Sequence, residues 1–236
     1  MSKKREFGEG PIYTITNYIM WFFLGNFYFM VCNIPFLFIL LGFNGTFTME
    51  YAVLLILSSL PIGPAYTALL SAMGKLVREK DVNITRDYFK AYKINFLQSL
   101  FLWTLQIVII TILFVDIRFF AVNAFGKFII PIFYGLILIV IFTGIYVFPI
   151  ISRFYLKTKD ILKVSFFYMF SKIKVTLTCA SIFVIAYFIL IKITSTAVLF
   201  IMSVLCFSIM YIQKDLLREL QIKVSPESIE NETITE

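Results

Sequence analysis

The sequence predicts an all-α, polytopic membrane protein with six transmembrane helices, and two observations carry this prediction. Hydrophobic residues make up 60% of the chain, whose mean hydropathy is +0.91, whereas soluble domains are typically about 45–50% apolar. Eighteen of the 21 Lys and Arg residues fall in four short polar segments, which are residues 1–16, 74–95, 153–174 and 214–236. Basic segments that alternate with long apolar runs are typical of a multi-spanning membrane protein under the positive-inside rule.

The apolar runs have the length that a membrane crossing requires, about 20 helical residues for a hydrocarbon core of about 30 Å. The predicted spans cover residues 17–41, 51–73, 96–115, 128–152, 175–191 and 194–213. An even number of spans places both termini on one side, and the basic segments make that side cytoplasmic. The chain then divides into a cytoplasmic N-terminal segment (1–16), a transmembrane domain (17–213) and a cytoplasmic tail (214–236). We expect the acidic end of the tail, from Ser225, to be disordered.

The second and third basic segments are long enough to form helical segments of their own on the cytoplasmic side. Arg86, Lys90 and Lys93 are spaced i, i+4, i+7, which places them on one face of a helix, with aromatic residues gathered on the other face. A helix of this kind lies in the headgroup region with its cations towards anionic lipid. Lys172 and Lys174 precede the fifth span in a similar way. We predict two interfacial segments that contact anionic lipid headgroups, with the docking of a cytoplasmic partner as the alternative.

Small residues recur at every fourth position of the second span, at Ser59, Gly63, Thr67 and Ser71. This spacing lets membrane helices approach closely. Two prolines of the same span, Pro61 and Pro64, remove backbone hydrogen bonds and bend the helix at mid-membrane depth. We interpret the span as a kinked, closely packed central helix. The alternative is a discontinuous helix that offers free backbone groups to a solute.

Side-chain amides also fall within predicted spans. Asn26 and Asn33 lie seven residues apart on one face of the first span, and Gln106 lies in the third. Buried amides in lipid need partners and often join helices, at about 0.6–2 kcal/mol each. We favour this role over a polar cavity for a hydroxylated solute.

The residue inventory argues against an enzyme. The chain has no His, and its three cysteines, Cys32, Cys179 and Cys206, stand apart in apolar segments. A His-containing zinc site, a His general base and a disulfide framework are therefore not predicted. No ionisable residue falls near the middle of a predicted span, which argues against an ion-coupled transporter. We expect no catalytic residue, cofactor or metal, and no nucleic-acid partner, because the basic residues sit beside apolar spans.

The stretch GPAYTALLSAMGKLVREKD from Gly63, followed by Phe89, Asn95, Phe96, Gln98 and Ser99, resembles the YesL-like family of small bacterial membrane proteins. Phe148-Pro149 with Arg153-Phe154 is similar to a second pattern of that family. The family's biochemistry is uncharacterised, so the resemblance transfers no catalytic or binding residues. It implies an accessory or regulatory role beside carbohydrate uptake in a Gram-positive bacterium, with a carbohydrate transporter component as partner.

The main alternative is a substrate-binding or permease-like membrane subunit of an ATP-driven transporter. A substrate-binding subunit would be expected to carry small residues on its first span, where Trp21, Phe22 and Phe23 stand instead. A permease-like subunit would be expected to carry a Gly-containing Glu-Ala-Ala loop, which the inner segments lack. The accessory role is therefore the prediction that we carry forward.

Overall fold

The computed structural model describes residues 11–43, 45, 48–122, 126–192 and 197–233, and the elements formed there are helices. They are α1 (Pro11–Cys32), α2 (Ile34–Leu41), α3 (Met49–Ser58), α4 (Ile62–Glu79), α5 (Ile84–Phe120), α6 (Gly126–Ile151), α7 (Thr158–Ser171), α8 (Ile173–Lys192), α9 (Ile201–Ile212) and α10 (Lys214–Thr233), with a 3₁₀ turn at Ala197–Leu199 before α9. The all-α class is as predicted. The N-terminal residues 1–10, with their basic side chains, and residues 193–196 between the fifth and sixth predicted spans lie outside the described residues.

Helical segments long and apolar enough to cross a membrane number five within the described residues: Tyr13–Cys32, Met49–Glu79, Ile84–Phe120, Phe128–Ile151 and Ile173–Lys192. They confirm the prediction of multi-pass membrane helices. Large apolar side chains are exposed on these segments, as at Leu97 (78%) and Phe128 (79%). A continuous exposed apolar surface of this kind fits contact with lipid.

The sixth predicted span is shorter than expected. In its described part, residues 197–213, the structure forms the 3₁₀ turn and the 12-residue helix α9, which is about 18 Å long at 1.5 Å per residue. Helical backbone starts only at Ile201, because Phe200 holds the non-helical N-cap position. Apolar composition over the whole stretch predicted a longer helix than the backbone adopts.

Two of the predicted spans are each divided into two helices. Asn33 alone separates α1 from α2, and Pro35 occupies the first turn of α2, where a missing N–H costs no helix hydrogen bond. Residues 59–61 separate α3 from α4. Pro61 lacks the N–H that would continue the hydrogen bonds of α3, which explains the second break.

The third predicted span belongs to a much longer helix. α5 has 37 residues, or about 55 Å of length, and its first turns contain Arg86, Lys90 and Lys93. The predicted inner segment is therefore continuous with the third span and is not a helix of its own, while its position in the headgroup region stays a prediction. No Gly or Pro occurs between positions 84 and 120, so nothing interrupts the helix where its composition changes from basic to apolar. Asn83 Oδ1 caps the start of α5 by accepting a hydrogen bond from Arg86 N–H, 3.2 Å away.

α4 is the centre of the helix packing. Twelve of its 18 residues are buried, and it contacts α1, α5, α6 and α9. Ala65, Ala68 and Ala72 are completely buried, because their small side chains let the neighbouring helices come close to the α4 backbone.

The second inner segment forms a separate helix, α7, which Lys172 divides from α8. Beyond α9, the helix α10 buries Leu216, Leu217 and Leu220, a stripe typical of an amphipathic helix. α10 is described as far as Thr233, and disorder from Ser225 onwards stays a prediction.

Candidate functional site

The small residues of the second span lie at a contact between α4 and α5. Ser59, Gly63 and Thr67 are buried, and Ser71 is half-buried towards the basic end of α4. A Cβ atom on Gly63 would overlap the side chain of Trp103 on α5. Glycine therefore permits the close approach of the two helices at this position.

At the break before α4, the carbonyl group of Ser59 is not open to a solute. Trp103 Nε1–H on α5 donates a hydrogen bond to the Ser59 carbonyl oxygen, 2.9 Å away, and Ile62 N–H donates to the same oxygen at 3.0 Å. Neighbouring helices commonly supply partners for backbone groups that a break in a membrane helix has freed. Pro64 lies in the first turn of α4, where N–H groups have no partner within the helix. The geometry supports packing rather than solute binding at Pro61 and Pro64.

Asn26 joins α1 to the start of α9. Its Nδ2 donates to the Val198 carbonyl oxygen at 2.9 Å, and its Oδ1 accepts a hydrogen bond from Met202 N–H at 3.1 Å. Met202 lies in the first turn of α9, whose N–H groups lack intrahelical partners. The fully buried amide of Asn26 therefore bonds to backbone in the 3₁₀ turn that precedes α9 and in the first turn of α9.

The other two amides also contact backbone. Asn33 Nδ2 donates to the Phe29 carbonyl oxygen at 2.8 Å, while its buried Oδ1 has no hydrogen-bond partner among the described residues. Gln106 Nε2 donates to the Val140 carbonyl oxygen at 3.4 Å, and its amide lies against Gly144 on α6. Asn26, Asn33 and Gln106 thus bond to separate backbone groups and do not line one common cavity.

The five basic residues predicted to contact lipid or a partner are exposed: Arg86, Lys90, Lys93, Lys172 and Lys174. Lys172 Nζ lies 3.4 Å from Glu219 Oε2 on α10, so part of its charge is neutralised within the molecule. Lys90 lines a cleft together with residues that the sequence did not single out.

This cleft lies where the basic ends of α4 and α5 meet the connection between α6 and α7, and its volume is about 250 Å³. Its charged lining residues are Lys75 and Arg78 on α4, Asp87 and Lys90 on α5, and Arg153 in the connection. Ser71, Asn95 and Ser152 add further polar atoms. We call this site the basic cleft.

Hydrogen bonds hold the walls of the basic cleft in place. Lys75 Nζ lies 2.9 Å from Asp87 Oδ2 and thereby joins α4 to α5. Asp87 Oδ2 also accepts a hydrogen bond from Asn83 N–H at 3.2 Å. Gln98 Nε2 on α5 donates to the Leu156 carbonyl oxygen at 2.9 Å, so the connection is held against α5.

Positive charge dominates the basic cleft. Four cationic side chains face one carboxylate, Asp87, and that carboxylate is already paired with Lys75. Burial lowers the pKa of Arg153 from its usual value, and the positive charges of Arg78 and Arg218 lower this pKa further. The cleft therefore holds cations close to one another, whose repulsion is only partly balanced within the protein.

From the sequence we predicted Lys90 as a contact residue, but we did not predict Arg78, Asp87 or Arg153 as residues of a site. The spacing of Lys75 and Arg78 shows that they share one face of a helix. No local pattern shows that this face meets Arg153, because the two segments lie far apart in the sequence. The basic cleft is a product of the tertiary structure.

The cysteines offer no metal site. All three are free thiols, with Cys179 and Cys206 buried and Cys32 half-buried. Across the described ranges, no group of three or more His, Cys, Asp or Glu side chains could hold a metal ion. The thiols occupy packing positions, as small apolar side chains do.

Residues 13–117 match the model of a family described as a protein of unknown function, DUF624. The match covers α1 to α4 and most of α5, and so includes the break before α4 and four of the five charged residues of the basic cleft. This segment is therefore similar to an uncharacterised family, while the YesL-like assignment stays a prediction. No curated protein and no solved structure matches the chain.

Proposed function

We propose that this protein is a non-enzymatic, multi-pass membrane protein that serves as an accessory or regulatory component beside carbohydrate uptake. The packing of α4 carries the proposal. The Ser59 carbonyl oxygen at its break accepts a hydrogen bond from Trp103, and the amide of Asn26 on α1 is bonded through both its nitrogen and its oxygen. A centre filled by its own helices supports a role in contacts with other proteins over a role as a solute-binding core. The association with carbohydrate uptake rests on the YesL-like resemblance.

The proposal includes a topology with both termini in the cytoplasm and a sixth crossing completed by residues 194–213. The concentration of basic residues in four segments supports it. Single cysteines at Lys90, Lys172 and Lys192, placed in a chain lacking the three native thiols, test it with a membrane-impermeant maleimide on intact cells. We expect labelling of Lys192→Cys from outside, and labelling of the other two only after permeabilisation. External labelling of Lys90→Cys would overturn the topology.

The proposed partner surface is the exposed basic face at the inner end of the bundle. Arg86 and Lys93 lie on α5, and Lys174 lies at the start of α8. Over the described residues, none of these three side chains forms an ion pair. Their charges can therefore contact anionic lipid headgroups and an acidic protein surface.

Affinity purification of the tagged protein in mild detergent, from cells grown on a polysaccharide as carbon source, tests the proposed role. We expect a carbohydrate transporter component to be recovered with the unaltered protein. Recovery should fall several-fold with the double variant Arg86→Gln/Lys93→Gln. Lys192→Gln, which alters charge at the opposite end of α8, should leave recovery unchanged. Absence of every transport component under these conditions contradicts the proposal, and sugar binding by the purified protein alone would favour the substrate-binding or permease-like subunit instead.

A further inference from the structure

The basic cleft contains cations that no carboxylate of the protein neutralises. Among the described residues, neither Arg78 nor Lys90 has a carboxylate oxygen within ion-pair distance. Arg153 donates instead to the neutral amide of Gln221, with Nη2 lying 2.5 Å from Oε1, and its guanidinium carbon lies 5.6 Å from the centroid of the Phe154 ring. Three cations from three different elements therefore face one cleft without an anionic partner.

Two neutral polar side chains in the same cleft also lack hydrogen-bond partners among the described residues. Asn95 is only 8% exposed, yet its side-chain amide makes no hydrogen bond with any described residue, and the hydroxyl of Ser71 makes none either. Both residues line the cleft. Their polar atoms are not among the fully enclosed atoms that lack a partner, so the amide and the hydroxyl reach the open volume of the cleft. Both groups can therefore form hydrogen bonds with a ligand in the cleft.

We propose that the basic cleft binds a phosphate monoester, with Arg78, Lys90 and Arg153 holding its charged oxygens and Asn95 and Ser71 donating further hydrogen bonds. Guanidinium groups suit this ligand because their planar donors match pairs of phosphate oxygens. A phosphate monoester carries about −1.5 to −2 charges at pH 7, which balances three cations better than a single carboxylate does. The ion pair between Lys75 and Asp87 joins α4 to α5 and so holds one side of the cleft in place.

The phosphate monoester can come from two sources with the same chemistry. One is the headgroup of phosphatidic acid in the adjacent membrane leaflet, which the cleft can reach because its walls are the ends of apolar helices α4 and α5. The other is a soluble ester such as glycerol 3-phosphate, which fits a cleft of about 250 Å³. The site does not depend on the identity of any protein partner, so it goes beyond the role proposed above.

The test uses the full-length protein in nanodiscs and treats the two sources separately. In nanodiscs of phosphatidylcholine alone, glycerol 3-phosphate is titrated by isothermal calorimetry. In nanodiscs that also contain phosphatidic acid, native mass spectrometry measures how much phosphatidic acid the released protein retains relative to phosphatidylcholine. Arg78→Gln and Arg153→Gln remove cleft cations. Arg118→Gln is the matched control, because it removes an exposed arginine at the other end of α5, outside the cleft.

We expect each cleft variant to lose at least about tenfold in affinity or retention, since hydrogen bonds between charged groups are the strongest that the site makes. Arg118→Gln should change binding less than about twofold. Asn95→Asp keeps the size of the side chain and adds a negative charge, so it should abolish binding while the unfolding temperature shows an intact fold.

Each outcome decides the proposal. Binding of glycerol 3-phosphate that only the cleft variants weaken supports a soluble ester. Selective retention of phosphatidic acid that only they weaken supports a lipid headgroup. The proposal is overturned if neither probe binds, or if Arg118→Gln weakens binding as much as Arg78→Gln and Arg153→Gln do.

Discussion

The side chain of Asn26 caps a helix from which it is remote in sequence: its Oδ1 accepts a hydrogen bond from the backbone N–H of Met202 at 3.1 Å. α9 has no side-chain cap from its own N-cap residue, Phe200. In lipid, an N–H group without a partner is costly because no water is available to replace it. The amide on α1 therefore stabilises the start of α9 and fixes the two elements relative to each other.

Asn26→Ala should destabilise the protein by about 1–2 kcal/mol, because it removes both the cap on Met202 and the hydrogen bond to Val198. Thermal unfolding in detergent measures the loss as a lower unfolding temperature. Ser181→Ala is the matched control: its hydroxyl is exposed and bonds within its own helix, so this variant should unfold like the unaltered protein. Equal unfolding temperatures for both variants would show that the Asn26 amide contributes nothing to stability.

Gly63→Ala should cost about 1–3 kcal/mol, because the added Cβ would overlap Trp103 and force α4 and α5 apart. Gly135→Ala on α6 is the control, since a Cβ there meets no atom within 4 Å. Alanine favours a helix more than glycine does, so the control should be neutral or gain up to about 1 kcal/mol. Unfolding in a denaturing detergent gives both values, and a stable Gly63→Ala protein would contradict the close contact.

Trp103→Phe should cost about 1–2 kcal/mol, because phenylalanine keeps an aromatic ring near Phe148 but lacks the N–H that donates to the Ser59 carbonyl oxygen. Hydrogen exchange at the start of α4 should quicken in this variant. Trp21→Phe is the comparison: Trp21 is also buried, but within the described part its indole nitrogen donates to no protein atom. Unchanged exchange at the start of α4 in Trp103→Phe would count against the role of the indole.

Asp87→Asn should have two opposite effects. Losing the ion pair with half-buried Lys75 should lower stability by no more than about 1 kcal/mol. Removing the one carboxylate of the basic cleft should raise the affinity for glycerol 3-phosphate or the retention of phosphatidic acid several-fold. Asp160→Asn makes the same charge change on α7, outside the cleft. This variant should change neither the stability nor the binding of the phosphate ester. Weaker phosphate binding by Asp87→Asn would contradict the electrostatic account of the cleft.

The contact of α10 with the joint between α7 and α8 should weaken in acid. A hydrogen bond from Lys223 and the charge of Lys172 hold the pKa of Glu219 below its usual value of 4.5. A carboxyl whose pKa is lower in the folded state stabilises the fold fully above about pH 4.5, and this contribution is lost as the pH falls towards the folded pKa. Hydrogen exchange along α10, corrected for intrinsic rates, should therefore quicken below that pH.

Glu219→Gln removes the titrating group of this contact. In that variant, exchange along α10 should be faster at neutral pH and should depend less on pH. An acid response equal to that of the unaltered protein would show that another group controls the contact.

Most of the helices could be predicted from the sequence, because apolar length is a local property. The errors occurred where composition and backbone continuity differ. The change from basic to apolar residues within α5 suggested two helices, yet the stretch contains no helix breaker. At residues 194–213 the composition remains apolar, but regular helix begins only at Ile201. Composition indicates whether a segment lies in the membrane or in water, whereas the ends of a helix depend on its backbone hydrogen bonds.

The sequence by itself determined that this is a multi-pass, all-helical membrane protein whose second predicted span carries the closest packing. It could do so because hydropathy and the i, i+4 spacing of small residues are read within one segment. Only the tertiary structure decided that Trp103 reaches the Ser59 carbonyl, that Asn26 caps α9, and that Arg78 and Arg153 face one cleft. Each of these contacts joins residues far apart in the chain, and their pairing follows from how whole helices pack.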